Sequence, residues 1–254
     1  MKKGLILLFA CLSLFSAFAQ TTPARHHILL SGASFASPEN GWFEMGCDML
    51  GAFAINRATD GESIVNTANK MDLGVLYSKK ELETLDAFVI MQVHNRNVAD
   101  ETGLLKNYKD YKTPFTRTNY AAAFDYVIKR YINDCYELRN EPDSKYFGSE
   151  NGKPVVIILC TDWHDARTLY NNSVRKLAEK WNFPLVEFDK NIGFTKDQVH
   201  PTTKLQVSIM YSKDTQEIDG VLYGLHPYRG KSAMIQQRMA AIFADRMRTI
   251  LPER

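Results

Sequence analysis

Short apolar runs alternate with helix-periodic stretches along almost the whole chain, and this constrains the fold more than any other feature. The clearest run is Ala87-Phe88-Val89-Ile90-Met91-Gln92-Val93. A run without polar alternation suits a strand covered on both faces, near the centre of a sheet. Shorter runs occupy residues 28–31, 54–57, 155–160 and 185–188. Between them lie amphipathic patterns. Phe43, Cys47, Leu50 and Ala54 share one face over residues 41–54, and Ile64 and Ala68 follow on a second helix. Phe124, Val127, Ile128, Tyr131, Cys135 and Leu138 line a helix over 119–138, and Val174, Leu177, Ala178 and Trp181 line the next. Ile235, Met239, Ile242, Phe243, Met247 and Ile250 stripe a last helix over 231–251. This alternation predicts an α/β fold around a mostly parallel five-stranded sheet. Residues 206–211 alternate in hydropathy, and Asp219-Gly220 precedes Val221-Leu222-Tyr223, which predicts an added hairpin near 206–223. Residues 98–118 form a polar excursion that is long for a compact domain. It reads either as a lid or binding loop or as a surface detour.

The first residues read as a leader. Lys2 and Lys3 precede an apolar stretch over residues 4–18, and Ala17-Phe18-Ala19 is a small-x-small cleavage site before Gln20. The pattern is that of a secretory signal peptide over residues 1–19, too short to span a bilayer, with residues 20–254 as one domain. Lipid anchoring at Cys11 is the rival, and Phe9 fits poorly two residues before an acylated Cys. The expected location is therefore periplasmic or extracellular. The whole chain carries 31 Lys+Arg against 29 Asp+Glu, and the two leader lysines account for the excess. A neutral remainder without a basic block gives no reason to expect nucleic acid or an anionic membrane as partner, and no later segment is apolar enough to span one. Cys47, Cys135 and Cys160 are odd in number and far apart, which argues against a disulfide framework and a zinc site and favours buried thiols.

Ser34 comes just past the first apolar run, where open α/β sheets place their ligands. It is either a nucleophile or a turn serine capping the next helix. Gly61 follows the second strand, Asn95 the third, and His226 precedes the last helix. With these residues the chain resembles the SGNH/GDSL hydrolase family. Gly32-Ala33-Ser34-Phe35 stands for the nucleophile block, Asn56-Arg57-Ala58-Thr59-Asp60-Gly61 for the glycine block, His94-Asn95 for the asparagine block and Gly224-Leu225-His226-Pro227 for the histidine block. The resemblance implies a three-layer α/β/α, flavodoxin-like fold and ester hydrolysis without a cofactor. By that match Ser34 attacks and His226 is its base. The Ser34 and Gly61 amides and the Asn95 side chain bind the oxyanion. Each has a plainer reading: Gly61 as a turn, Asn95 as a loop cap, His226 as a helix cap.

The chain departs from the family pattern at Ala33, where Asp is usual, at Val93, where Gly is usual, and at Arg96, where Asp commonly follows the Asn. The acid expected three residues before the histidine is Tyr223. Either a Ser-His dyad operates or another acceptor orients His226, Asp219 being a candidate if the hairpin folds it back. Asp197-Gln198-Val199-His200 is an intact acid-x-x-His block and offers His200 with Asp197 as the rival base and acid. His226 is favoured because it directly precedes the terminal helix. Trp163 and His164, after the fourth strand, read as a substrate wall that stacks on a sugar, or as a loop capping the following helix. The expected function is that of an exported serine esterase acting on a small-molecule or glycan ester, with acetyl on carbohydrate as the expected substrate. A carbohydrate-binding protein with lapsed catalysis is the alternative. Oligomeric state is not legible in the sequence.

Overall fold

The computed structural model describes residues 26–38 and 40–252, so the expected leader and Cys11 lie outside the described residues. Five parallel strands form the central sheet: β1 (His27–Gly32), β2 (Phe53–Asn56), β3 (Ala87–Met91), β4 (Ile157–Cys160) and β5 (Leu185–Val186), in the order β2-β1-β3-β4-β5. All five residues of β3 and all four of β4 are buried, so these strands need cover on both faces. The helices supply it. α1 (Trp42–Leu50) packs on the terminal helix, and α2 (Ile64–Asp72) packs on the long amphipathic α4 (Tyr120–Glu137), with the short α3 (Lys79–Thr84) between α2 and β3 in the chain. α5 (Thr168–Trp181) and the one-turn α6 (Phe188–Asn191) flank β5 in sequence. This is the three-layer α/β arrangement that the alternation of runs predicts. The chain reverses direction of travel across the sheet between β1 and β3, and the crevice at such a switch point is where open α/β sheets bind ligands. Ser34 stands two residues beyond β1.

An aromatic cluster fixes the turn after β1. The buried Trp42 ring meets Phe188 at 4.9 Å and Phe243 at 5.3 Å. Its indole N–H donates to the Phe35 carbonyl at 3.1 Å, and its backbone N–H donates to Gln236 at 2.9 Å. A buried indole needs such an acceptor, and here the acceptor belongs to the residue after Ser34.

The added hairpin is present, with its arms placed differently from the sequence expectation. Its strands are β6 (Thr215–Ile218) and β7 (Val221–Gly224). Residues 206–211 do not form the first arm; α7 (Val207–Met210) takes that place. The inward residue there is Ser208, whose hydroxyl accepts the Gly224 N–H at 3.0 Å. The alternation sets Ser208 on its polar side, yet Ser208 is buried, so the face expected to point outward is turned in. The terminal helix is α8 (Met234–Arg248).

The 98–118 excursion is pinned to the α2–α4 face. The Tyr111 hydroxyl donates to Asp125 at 2.7 Å, and the Phe115 N–H donates to Asn69 at 2.8 Å. Cys47, Cys135 and Cys160 are buried free thiols. Among the described residues no helix is long and apolar enough to cross a membrane.

Candidate active site

The turn after β1 and the loop after β7 meet at the rim of the sheet. There the Ser34 hydroxyl lies 2.8 Å from His226 Nε2. His226 Nδ1 lies 2.8 Å from one carboxylate oxygen of Asp214 and 3.1 Å from the other, and the His226 backbone N–H donates to the same carboxylate at 2.8 Å. With its proton on Nδ1 and donated to Asp214, the imidazole presents a lone pair at Nε2 to the Ser34 hydroxyl. The ring also stacks on Phe35, with centroids 5.1 Å apart at 29°. Partial burial works to raise the Asp214 carboxyl, and the two hydrogen bonds from His226 outweigh it, holding the carboxyl below its usual range. Asp214 therefore stays an acceptor wherever His226 can act as a base.

Ser34, Gly61, Asn95 and His226 line one open cleft of about 350 Å³. Gly61 has φ +75° at the tip of the turn after β2. Among the described residues no hydrogen bond engages the Ser34 N–H, the Gly61 N–H or the Asn95 side chain. Three donors beside a hydroxyl–imidazole–carboxylate chain form an arrangement able to split an ester: the base takes the hydroxyl proton, and fixed donors bind the oxyanion.

Several positions read differently in three dimensions. Asp219 does not fold back; it is exposed at the tip of the hairpin with φ +52°, and the acid beside His226 is Asp214. Tyr223 is buried and pairs with Gln216 across the hairpin. His200 caps its own turn, its Nδ1 accepting the N–H groups of Thr202 at 3.3 Å and Thr203 at 3.1 Å. It does not line the Ser34 cleft, and Asp197 makes no bond to it among the described residues. Trp163 and His164 are sealed from solvent, so they cannot form a wall for a sugar. They work from behind instead. The Trp163 indole N–H donates to the Leu225 carbonyl at 3.0 Å. His164 bonds the Gly224 carbonyl through Nε2 at 2.8 Å, while its Nδ1 accepts the Ala166 N–H at 3.2 Å. The two carbonyls they hold immediately precede His226.

Asp214 was missed by sequence spacing because it lies twelve positions before the histidine rather than three. A signal did exist. Counting outward from the Asp219-Gly220 turn pairs Ile218 with Val221 and Thr215 with Gly224. One further step sets Asp214 against Leu225, where the Leu225 N–H donates to the Asp214 carbonyl at 2.9 Å. Arg229 is a second residue found only in space. Its guanidinium donates to the Ser37 carbonyl at 2.9 Å and to the Ser34 carbonyl, tying the serine turn to the segment after His226. Asp214→Asn should lower kcat for an acetyl ester by about 10²-fold with little change in melting temperature. That is less than a buried orienting carboxylate typically gives, because the Asp214 side chain is 42% exposed and water can partly stand in. Full kcat in that variant would leave His226 working as a dyad.

The fold and this site define the class: the three-layer α/β/α fold of SGNH hydrolases, with Ser, His and Asp at the crevice beside β1. The chain belongs to the family described as "Domain of unknown function (DUF5040)", whose model matches residues 25–251. No curated protein matches the chain. Among solved structures it is similar to a possible lipase from Chitinophaga pinensis, at 14% identity over 88% of this chain and 98% of that one, with a TM-score of 0.52. It is also similar to a lipase from a goat rumen metagenome, at 10% identity over 87% and 97% with a TM-score of 0.48. A third is a GDSL-like lipase from Bacteroides thetaiotaomicron, at 16% identity over 89% of each chain with a TM-score of 0.43. Of these three only the first reaches a TM-score of 0.5, and at that identity it speaks for the fold alone.

Proposed function

We propose that the protein is an exported serine esterase that removes a short acyl group, acetyl in the simplest case, from a carbohydrate. Ser34 attacks the ester carbonyl, and His226 takes the Ser34 proton and passes it to the leaving alcohol. Asp214 orients His226, and the Ser34 and Gly61 amides with the Asn95 side chain bind the oxyanion. The observation that carries this reading is the unbroken chain Ser34–His226–Asp214 opening onto three unengaged donors. A lapsed binding protein loses its motive once Asp214 supplies the acid.

Support for a short acyl group comes from the apolar residues beside Ser34. They are Ala33, Val93, Leu225 and Phe35, and the Phe35 ring is buried against His226, which leaves little apolar surface for a lipid tail. Support for a sugar alcohol comes from an adjoining open cleft of about 680 Å³, lined by Asn119, Asp100 and Asp110 beside the half-buried Tyr111. Polar groups beside a ring suit a pyranose. Export rests on the leader pattern of residues 1–19.

The test is covalent labelling. Native protein should hydrolyse 4-nitrophenyl acetate, and an alkyl fluorophosphonate should stop turnover and add its mass to the peptide containing Ser34. Turnover that persists while Ser34 is fully labelled would end the proposal.

A further inference from the structure

Glu62, the carboxylate lining the Ser34 cleft, is already matched, as are Asp162 and Asp214 behind its wall. Glu62 is bonded to Lys70 at 2.7 Å, Asp162 to Arg167 at 2.8 Å, and Asp214 to His226. The guanidiniums are not all matched. Arg117 is exposed on the cleft wall, and its protein partner is the Gly61 carbonyl at 3.3 Å. Arg96 follows Asn95 and lies 5.9 Å over the Tyr120 ring, at the junction with the adjoining cleft. Neither forms an ion pair among the described residues, and Arg96 shares the adjoining cleft with Asp100 and Asp110 without bonding to them. Arg167 forms part of the same wall at 6% exposure, with its Nε sealed and without a hydrogen-bond partner. His94 sits among them, packed 4.6 Å from Tyr120, its Nδ1 likewise sealed and unpartnered. Burial first, and then the charges of Arg96, Arg167 and Arg117, hold the His94 imidazole below its usual range, so it adds no fourth cation. The chain as a whole is almost balanced, 31 basic against 29 acidic residues, so the positive charge belongs to this cleft and not to the protein at large.

We infer that the substrate is an anionic ester, with a carboxylate, sulfate or phosphate group close to the scissile bond held by Arg117 and Arg96 beside Ser34. This rests on the esterase reading and narrows its substrate class. The unmatched charge on the Ser34 wall is positive, and a concave wall with such an excess draws an incoming anion. A guanidinium with free N–H groups matches two oxygens of a carboxylate, sulfate or phosphate at once. Arg117 has such groups left after its bond to Gly61, and Arg96 has no competing acceptor among the described residues. Arg117 also lies against the glycine that supplies an oxyanion donor, so its loss is expected to slow neutral esters too. The ratio of anionic to neutral turnover, and not the absolute rate, is therefore the signature.

Two substrate pairs read that ratio and locate the charge. Mono-4-nitrophenyl succinate against 4-nitrophenyl acetate puts the anion on the acyl half. An O-acetylated methyl glucuronoside against the matching glucoside puts it on the alcohol half. In native protein one pair should favour the anion by at least about tenfold in kcat/KM, the scale of one charge-assisted contact. The preference should shrink with added salt, because both arginines are exposed. It should fall toward unity in Arg96→Gln/Arg117→Gln and survive in part in Arg117→Lys. Ratios near one in both pairs for native protein, or a ratio unchanged in the double variant, overturn the inference while the esterase reading stands. If no ester is turned over and Ser34 takes no label, the esterase reading falls and binding decides instead. Inorganic sulfate should raise the His94 titration midpoint, followed by NMR, in native protein and not in the double variant. No rise in native protein overturns the anion site itself.

Discussion

Ser34→Ala protein should hydrolyse an acetyl ester on the order of 10⁴–10⁶-fold more slowly than native protein, with an unchanged melting temperature. The size follows from what the hydroxyl does. Its partner is His226 Nε2, and no other group at the cleft offers an activated nucleophile. A residual rate remains because the oxyanion donors still polarise a bound carbonyl for attack by water. The fold is spared because the side chain carries no packing. The Ser34 carbonyl stays tied to Arg229, and the Phe35 carbonyl to Trp42. His226→Ala should cost a similar factor, and the two losses should not add, since each removes the same concerted proton transfer. His200→Ala should leave the rate intact, because that ring caps residues 200–203 away from the cleft. Native turnover in Ser34→Ala protein would place the reaction elsewhere.

The sheet was legible because burial writes itself into composition. β3 and β4 are covered on both faces, so nearly every residue is apolar, and the alternation with α1, α4 and α8 needs no long-range information. Ser34 and His226 were legible from their places at element ends, which the sheet topology brings to one rim. What failed had its cause in tertiary hydrogen bonds. Trp163 looks like a surface stacking residue after a strand, yet the β7 loop folds over it and takes its indole N–H. Ser208 sits on the polar side of a period-two stretch, yet it is buried in α7 and its hydroxyl takes the Gly224 N–H. Asp214 is close to His226 only through the hairpin register, which depends on where the first arm starts. Reading that arm at 206–211 instead of Thr215–Ile218 hid the acid.

Gly224→Ala should damage stability and activity together, lowering stability by about 3 kcal/mol, the upper end of ordinary overpacking. A Cβ there would run into the Ser208 carbonyl and lie 2.6 Å from Ser212 Oγ. The carbonyl is backbone in α7 and cannot swing aside as a side-chain tip would. Gly224 is also held on every side. Its N–H donates to Ser208, its carbonyl accepts from His164, and it pairs with Thr215 across the hairpin. Thr215 directly follows Asp214, and His226 lies two residues beyond Gly224. A shift of β7 away from α7 therefore moves the acid and the base together, without touching Ser34. Misplacing a catalytic group by about 1 Å can cost on the order of 10²-fold. The variant should accordingly lose kcat by about that factor even at temperatures where circular dichroism shows it folded, while the fluorophosphonate labels Ser34 more slowly in proportion. A native melting temperature together with native kcat would show that α7 yields freely, and that Asp214 and His226 are held by something other than this glycine.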